Sequence, residues 1–204
     1  MPMIGEPEGE ETQQVEAMQP GWIIRRLMRA RSVLLMGTIT DQIAKELTTQ
    51  VLLMQEDDPN KPITVFINSR GGEADAGFAI FDILRFISPP VRTVCTGLCA
   101  SAAILPFLAA PKERRFSLPH CRFLLHQPMT TVVGVASDIA ISATELRRLR
   151  ERYNNIVAAE TGKSLEQVTA DTDRDFWLTA EEALEYGLVG RIITSIHELG
   201  EEGL

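Results

Sequence analysis

Short, almost uninterrupted apolar runs alternate with amphipathic stretches from residue 32 onward, and this alternation restricts the chain to very few folds. Ser32 to Met36 runs into Gly37, Ile63 to Ile67 runs on to Gly71-Gly72, and Val91 to Cys95 runs into Gly97. Phe123 to Leu125 is a further buried strand. Between them, Thr40-Asp41 offers an N-cap for a helix through Glu56, with Ile43, Leu47, Val51 and Leu52 on one side. A second helix follows the glycine pair, carries Phe78, Ile80, Phe81 and Leu84, and stops at Pro89-Pro90. A small-residue helix starts near Ser101, and a long one runs from Ser137 to Thr161, where Gly162 is placed to end it. Apolar strands separated by helices imply an α/β fold built on a largely parallel sheet covered on both faces. No internal repeat or linker divides residues 20–204, so a single domain is expected, with the long helix projecting from it. Residues 1–19 are acidic, with five Glu and no basic residue, and are expected to form a flexible tail.

Charge and composition then exclude whole classes of partner. The chain of 204 residues has a formal charge of −8, whereas nucleic acid and anionic membrane surfaces call for a basic face. No apolar run approaches the ~20 residues that cross a bilayer, and the longest, Ala102 to Ala110, contains Pro106. The N-terminus lacks the basic and apolar blocks of a signal peptide. Cys95, Cys99 and Cys121 are odd in number and lack metal-type spacing, which argues against disulfides and against a metal site. These readings point to a soluble, cytoplasmic protein without a metal.

Reactive groups in α/β sheets gather where strands end and helices begin. Asn68-Ser69-Arg70-Gly71-Gly72 is one such junction, where glycines let a ligand approach backbone N–H groups closely. Taken alone, paired glycines usually mark only a tight turn. Gly97-Leu98-Cys99-Ala100-Ser101-Ala102-Ala103 is another. A serine among small residues at a strand-to-helix turn can present its hydroxyl as a nucleophile, although a lone serine there is usually an N-cap. His126 closes the run Phe123-Leu124-Leu125 and is the candidate base, ahead of His120 and His197 in more polar surroundings. Asp171, Asp173 and Asp175 are each open as the carboxylate that would orient it.

These residues carry a resemblance. Ile67-Asn68-Ser69-x-Gly71-Gly72, Ala100-Ser101, His126-Gln127-Pro128, Asp171-Thr172-Asp173-Arg174-Asp175 and Ala180-Glu181-Glu182-Ala183-x-Glu185-Tyr186-Gly187-Leu188 resemble the proteolytic subunits of Clp proteases, in order, from about Arg31 to Ile193. The resemblance implies a crotonase-like fold of repeated β-α units with a projecting strand-helix handle. It implies a serine endopeptidase with Ser101 as nucleophile, His126 as base and Asp175 as its orienter. The backbone N–H groups of Gly71 and Ala102 would form the oxyanion hole, and Arg70, Gly72, Gln127, Pro128 and Met129 would contact the peptide. It also implies two stacked seven-membered rings enclosing a chamber, contacts between rings through Asp173 and Arg174, and an AAA+ unfoldase as partner. No cofactor is expected, since ATP would be used only by that unfoldase.

The chain departs from the family pattern at several positions. Arg70 stands where a proline is usual, Ala102 where a methionine is usual, and Met129-Thr130-Thr131-Val132-Val133 replaces a glycine-rich start of the handle. Pro106 should kink the helix behind the serine. Arg70 beside the peptide track would favour acidic substrate residues if it faces the groove, and would leave a hydrophobic preference unchanged if it points into solvent or pairs with Glu73. Two alternatives stay open: a weakly active or inactive ring subunit assembling with a competent paralogue, and a crotonase-type acyl-CoA enzyme. The second would call for paired glutamates that the sequence does not offer.

Overall fold

The computed structural model describes residues 21–200; the acidic segment 1–19 lies outside them. Helix α1 (Trp22–Arg29) leads into β1 (Ser32–Ile39), α2 (Asp41–Asp57), β2 (Ile63–Gly72), α3 (Ala74–Phe86) and β3 (Val91–Ala100). A 3-10 turn (Ser101–Ala103) and the short α4 (Ile104–Leu108) follow, then β4 (Arg115–Ser117) and β5 (Arg122–Leu125). The long helix α5 (Ala136–Thr161), α6 (Leu165–Asp171), β6 (Phe176–Thr179), α7 (Ala180–Tyr186) and β7 (Arg191–Ile192) complete the described chain.

The sheet runs in the order β1-β2-β3-β4-β7, all parallel, with β5 parallel to β3 and β6 antiparallel to β5. Val33 and Leu35 of β1, Ile63, Val65 and Ile67 of β2, and Cys95 and Cys99 of β3 are buried beneath helices α2 to α4. All three cysteines are free and buried. Local signals set the helix ends as expected. The Thr40 side chain accepts a hydrogen bond from the Ile43 N–H, and Gly162 closes α5 in the left-handed conformation.

Three sequence expectations need correction. Gly71-Gly72 close β2 as expected, but Gly37 and Gly97 do not end β1 and β3; both strands run on, with register shifts at Gly37/Thr38 and between Ile67 and Ser69 that absorb the irregularity. Pro106 does not interrupt a long helix, since α4 has only five residues and follows the 3-10 turn directly. It lies in the first turn of α4, where its missing N–H would have had no intrahelical partner. The β-branched stretch after Pro128 forms no strand, because a strand needs a neighbour to hydrogen-bond and none pairs with it among the described residues. The projecting helix is as expected: within α5 the buried residues are Tyr153, Asn154, Val157 and Thr161, all in its C-terminal half.

Candidate active site

Sheet register brings three distant residues to one edge. Parallel pairing of β3 with β5 sets Ala100 beside Leu124, so both strands end together and hand on to Ser101 and His126. Antiparallel pairing of β5 with β6 sets Leu125 opposite Phe176, which places Asp175 across from His126. The His126 Nδ1 atom lies 3.6 Å from Asp175 Oδ1. Asp171 is instead engaged by the Tyr186 hydroxyl at 2.8 Å, and Asp173 by Arg150 at 3.2 Å. Of the three aspartates left open by the sequence, Asp175 is therefore the one that meets the imidazole.

Ser101 turns the chain sharply. Its φ of +56° lies in the left-handed region that a serine avoids, a conformation costing on the order of 1–3 kcal/mol and common where a side chain must be presented. The end of β2 is pressed against this turn. A Cβ on Gly71 would come within 2.7 Å of both the Ala100 carbonyl oxygen and the Ser101 Cβ, so only glycine fits. The 3.6 Å separation is longer than a hydrogen bond, and among the described residues none joins the Ser101 hydroxyl to His126. The three groups share one edge in an open arrangement.

A cleft of about 420 Å³ opens beside them. Arg70, Gly72, Ala102, Pro128 and Met129 line it together with Ser101 and His126, over an apolar wall that includes Phe78, Leu105 and Leu149. Arg70 is exposed at its rim, and no carboxylate lies within salt-bridge distance of it among the described residues. Beneath the cleft sits Tyr153, only 5% exposed, its phenol pushed well above the ordinary range by burial and therefore neutral.

Two expected contacts are arranged differently. The Gly71 N–H donates to Ser69 Oγ at 3.1 Å, the local turn that a serine hydroxyl makes with the amide two residues on, and Gly72 is the glycine that lines the cleft. Gln127 holds a loop rather than the cleft wall. Its N–H donates to the Thr172 carbonyl and its Nε2 to the Asp173 carbonyl, each at 2.7 Å. Sequence reasoning also missed two neighbours: Tyr153 and Arg152, whose guanidinium stacks 4.2 Å from the Phe78 ring. Both read in sequence as ordinary positions of a long amphipathic helix. Arg174 is present in the Thr172–Asp175 loop with no ion pair among the described residues. No helix of the described chain is long and apolar enough to cross a membrane.

Comparison with known proteins identifies the family and the fold. A family model described as Clp protease matches residues 15–196. ATP-dependent Clp protease proteolytic subunit 2 of Treponema denticola is 44% identical over 180 residues, covering 88% of this chain and 90% of its own length. The subunit of the same name from Borreliella burgdorferi is 46% identical over 178 residues, covering 87% and 90%. Proteolytic subunit 3 of Rhizobium meliloti is 46% identical over 176 residues, covering 85% and 88%. Among solved structures, a point mutant of ClpP1 from Listeria monocytogenes superposes with a TM-score of 0.82 at 45% identity, covering 87% of this chain and 99% of that one. The mixed α/β architecture with its parallel sheet is thus that of the Clp proteolytic subunit.

Proposed function

The chain belongs to the Clp protease family as a proteolytic subunit, and from that premise we propose that it is a serine endopeptidase using Ser101, His126 and Asp175. The observation that carries this reading is the strained Ser101 turn at the same sheet edge as the His126–Asp175 pair. In the proposed reaction Ser101 Oγ attacks a peptide carbonyl while His126 takes the hydroxyl proton. Asp175 holds the imidazole tautomer and stabilises the imidazolium, and His126 then returns the proton to the leaving amine. The N–H groups of Gly72 and Ala102, both lining the cleft, are the proposed oxyanion donors, since the Gly71 N–H is engaged by Ser69. One such donor is worth roughly 3–4 kcal/mol in the transition state. Extended peptide would lie along the Arg70–Gly72 edge and against Pro128 and Met129.

Two stacked heptamers, an enclosed chamber and delivery of folded substrates by an AAA+ unfoldase belong to the same proposal. The exposed apolar N-terminal half of α5, with Ile139 46% and Ile141 63% exposed, supports assembly through that helix. A serine-directed fluorophosphonate should label Ser101, and His126→Ala should suppress labelling. Retained labelling in that variant would mean another base activates the serine.

One observation favours a second reading, a subunit completed by a competent paralogue. The three groups are close without being hydrogen-bonded into a relay, and the relatives carry the names subunit 2 and subunit 3. Labelling of Ser101 only after mixing with a paralogous subunit would select it.

A further inference from the structure

The Asp175 carboxylate is 64% exposed and sits on the short connection between α6 and β6, so its position depends on what holds that connection. Part of the hold comes from the strand side, through the two Gln127 hydrogen bonds to Thr172 and Asp173. The rest comes from α5. Arg150 Nη2 lies 3.2 Å from Asp173 Oδ1 and 3.3 Å from the Thr169 carbonyl. One turn further along, Asn154 Oδ1 accepts from the fully buried Thr172 hydroxyl at 3.0 Å, and its Nδ2 donates to Thr169 Oγ1 at 3.3 Å. Arg150 also buries its Nε without a hydrogen-bond partner among the described residues, a cost that a surface arginine avoids by turning into water. It does not line the cleft.

We propose that Arg150 is a positioning residue: by gripping Asp173 from α5, it sets where Asp175 stands relative to His126. Asp173, expected from sequence to serve contacts between rings, is here engaged within its own chain. A shift of α5 by a fraction of a turn would move Asp173 and, two residues on, the carboxylate that orients the imidazole. The inference rests on the Ser101–His126–Asp175 reading and adds a residue that touches neither substrate nor the reacting atoms.

The full-length assembled protein tests it. Arg150→Gln should lower kcat on a fluorogenic peptide, and the rate of fluorophosphonate labelling, roughly tenfold with KM within about twofold, far less than the ~10⁴ lost with the wrong imidazole tautomer. Arg150→Lys should recover part of the loss. Asp173→Asn should reproduce it, and the double variant should be no worse than the poorer single, because the two act as one unit. Wild-type kcat and labelling rate in Arg150→Gln would overturn the proposal, as would an effect on KM alone or a loss that tracks ring disassembly in sedimentation. Should Arg150→Gln not fold, Arg150→Lys and Asp173→Asn, which keep the shape of the site, decide on the same criteria. Asp175→Asn separates the two levels. An inactive Asp175→Asn beside a fully active Arg150→Gln removes only this inference, whereas a fully active Asp175→Asn removes the triad beneath it.

Discussion

The Tyr153 hydroxyl is buried beneath the cleft and has no hydrogen-bond partner among the described residues. A donor kept from water without a partner costs about 1–3 kcal/mol, so removing it should help the fold. Tyr153→Phe is expected to raise the urea midpoint, with a gain of about 1 kcal/mol in unfolding free energy; a lowered midpoint would show that the hydroxyl is satisfied in solution. At this scale the sequence was partly legible. Ser101 could be picked out among small residues at a strand-to-helix turn and His126 because it closes an apolar run, and the structure sets them at one edge. The choice among Asp171, Asp173 and Asp175 could not be made from residue types alone, because antiparallel register decides it and register is a long-range property. The same limit applies to Gly71 and Gly72, since residue types do not reveal that the Gly71 N–H is engaged by Ser69.

Elements were legible in type and less so in extent. Glycines mark a strand end where the chain must turn, as Gly71-Gly72 do for β2, but Gly37 and Gly97 sit inside β1 and β3, where the pairing shifts register and then resumes. The stretch from Thr130 to Val133 has strand-forming residues, and propensity alone is not enough where no strand flanks it. One anchor was invisible in sequence. Arg115 of β4 is only 1% exposed, donates to the carbonyls of Ala110, Leu108 and Glu160, and pairs with the Glu160 carboxylate, which also meets Arg85. It ties the C-terminal end of α5 to α3, α4 and β4. Arg115→Ala leaves that carboxylate and those carbonyls without their donor, and should cost about 3–5 kcal/mol in a denaturant melt. A cost below about 1 kcal/mol would mean water replaces the guanidinium at little penalty.

On the scale of the whole molecule, the described chain packs one large core and a small second cluster of Val94, Phe116, Ile193 and Leu199, and leaves apolar side chains along α5 and the segment before it in solvent. Met129 is 82% exposed, Val133 96% and Val135 64%. Alternation of strands and helices made the core legible, whereas a surface that is finished only by other copies has no signature in a single chain beyond its excess of apolar residues. Sedimentation velocity at micromolar concentration should show rings and ring pairs, and a stable monomer there would rule out the proposed assembly. The segment from Met129 to Val135 has one more consequence. It is exposed, rich in apolar residues and, from Met129 to Val133, belongs to no helix or strand, which is the kind of segment a peptidase can accept. On the proposed activity and assembly, a molecule outside a ring offers this segment to its neighbour's cleft, and joining a ring also shields it. Intact-mass spectra of dilute protein should then show nicks between residues 129 and 135 that Ser101→Ala abolishes and that fade as concentration rises.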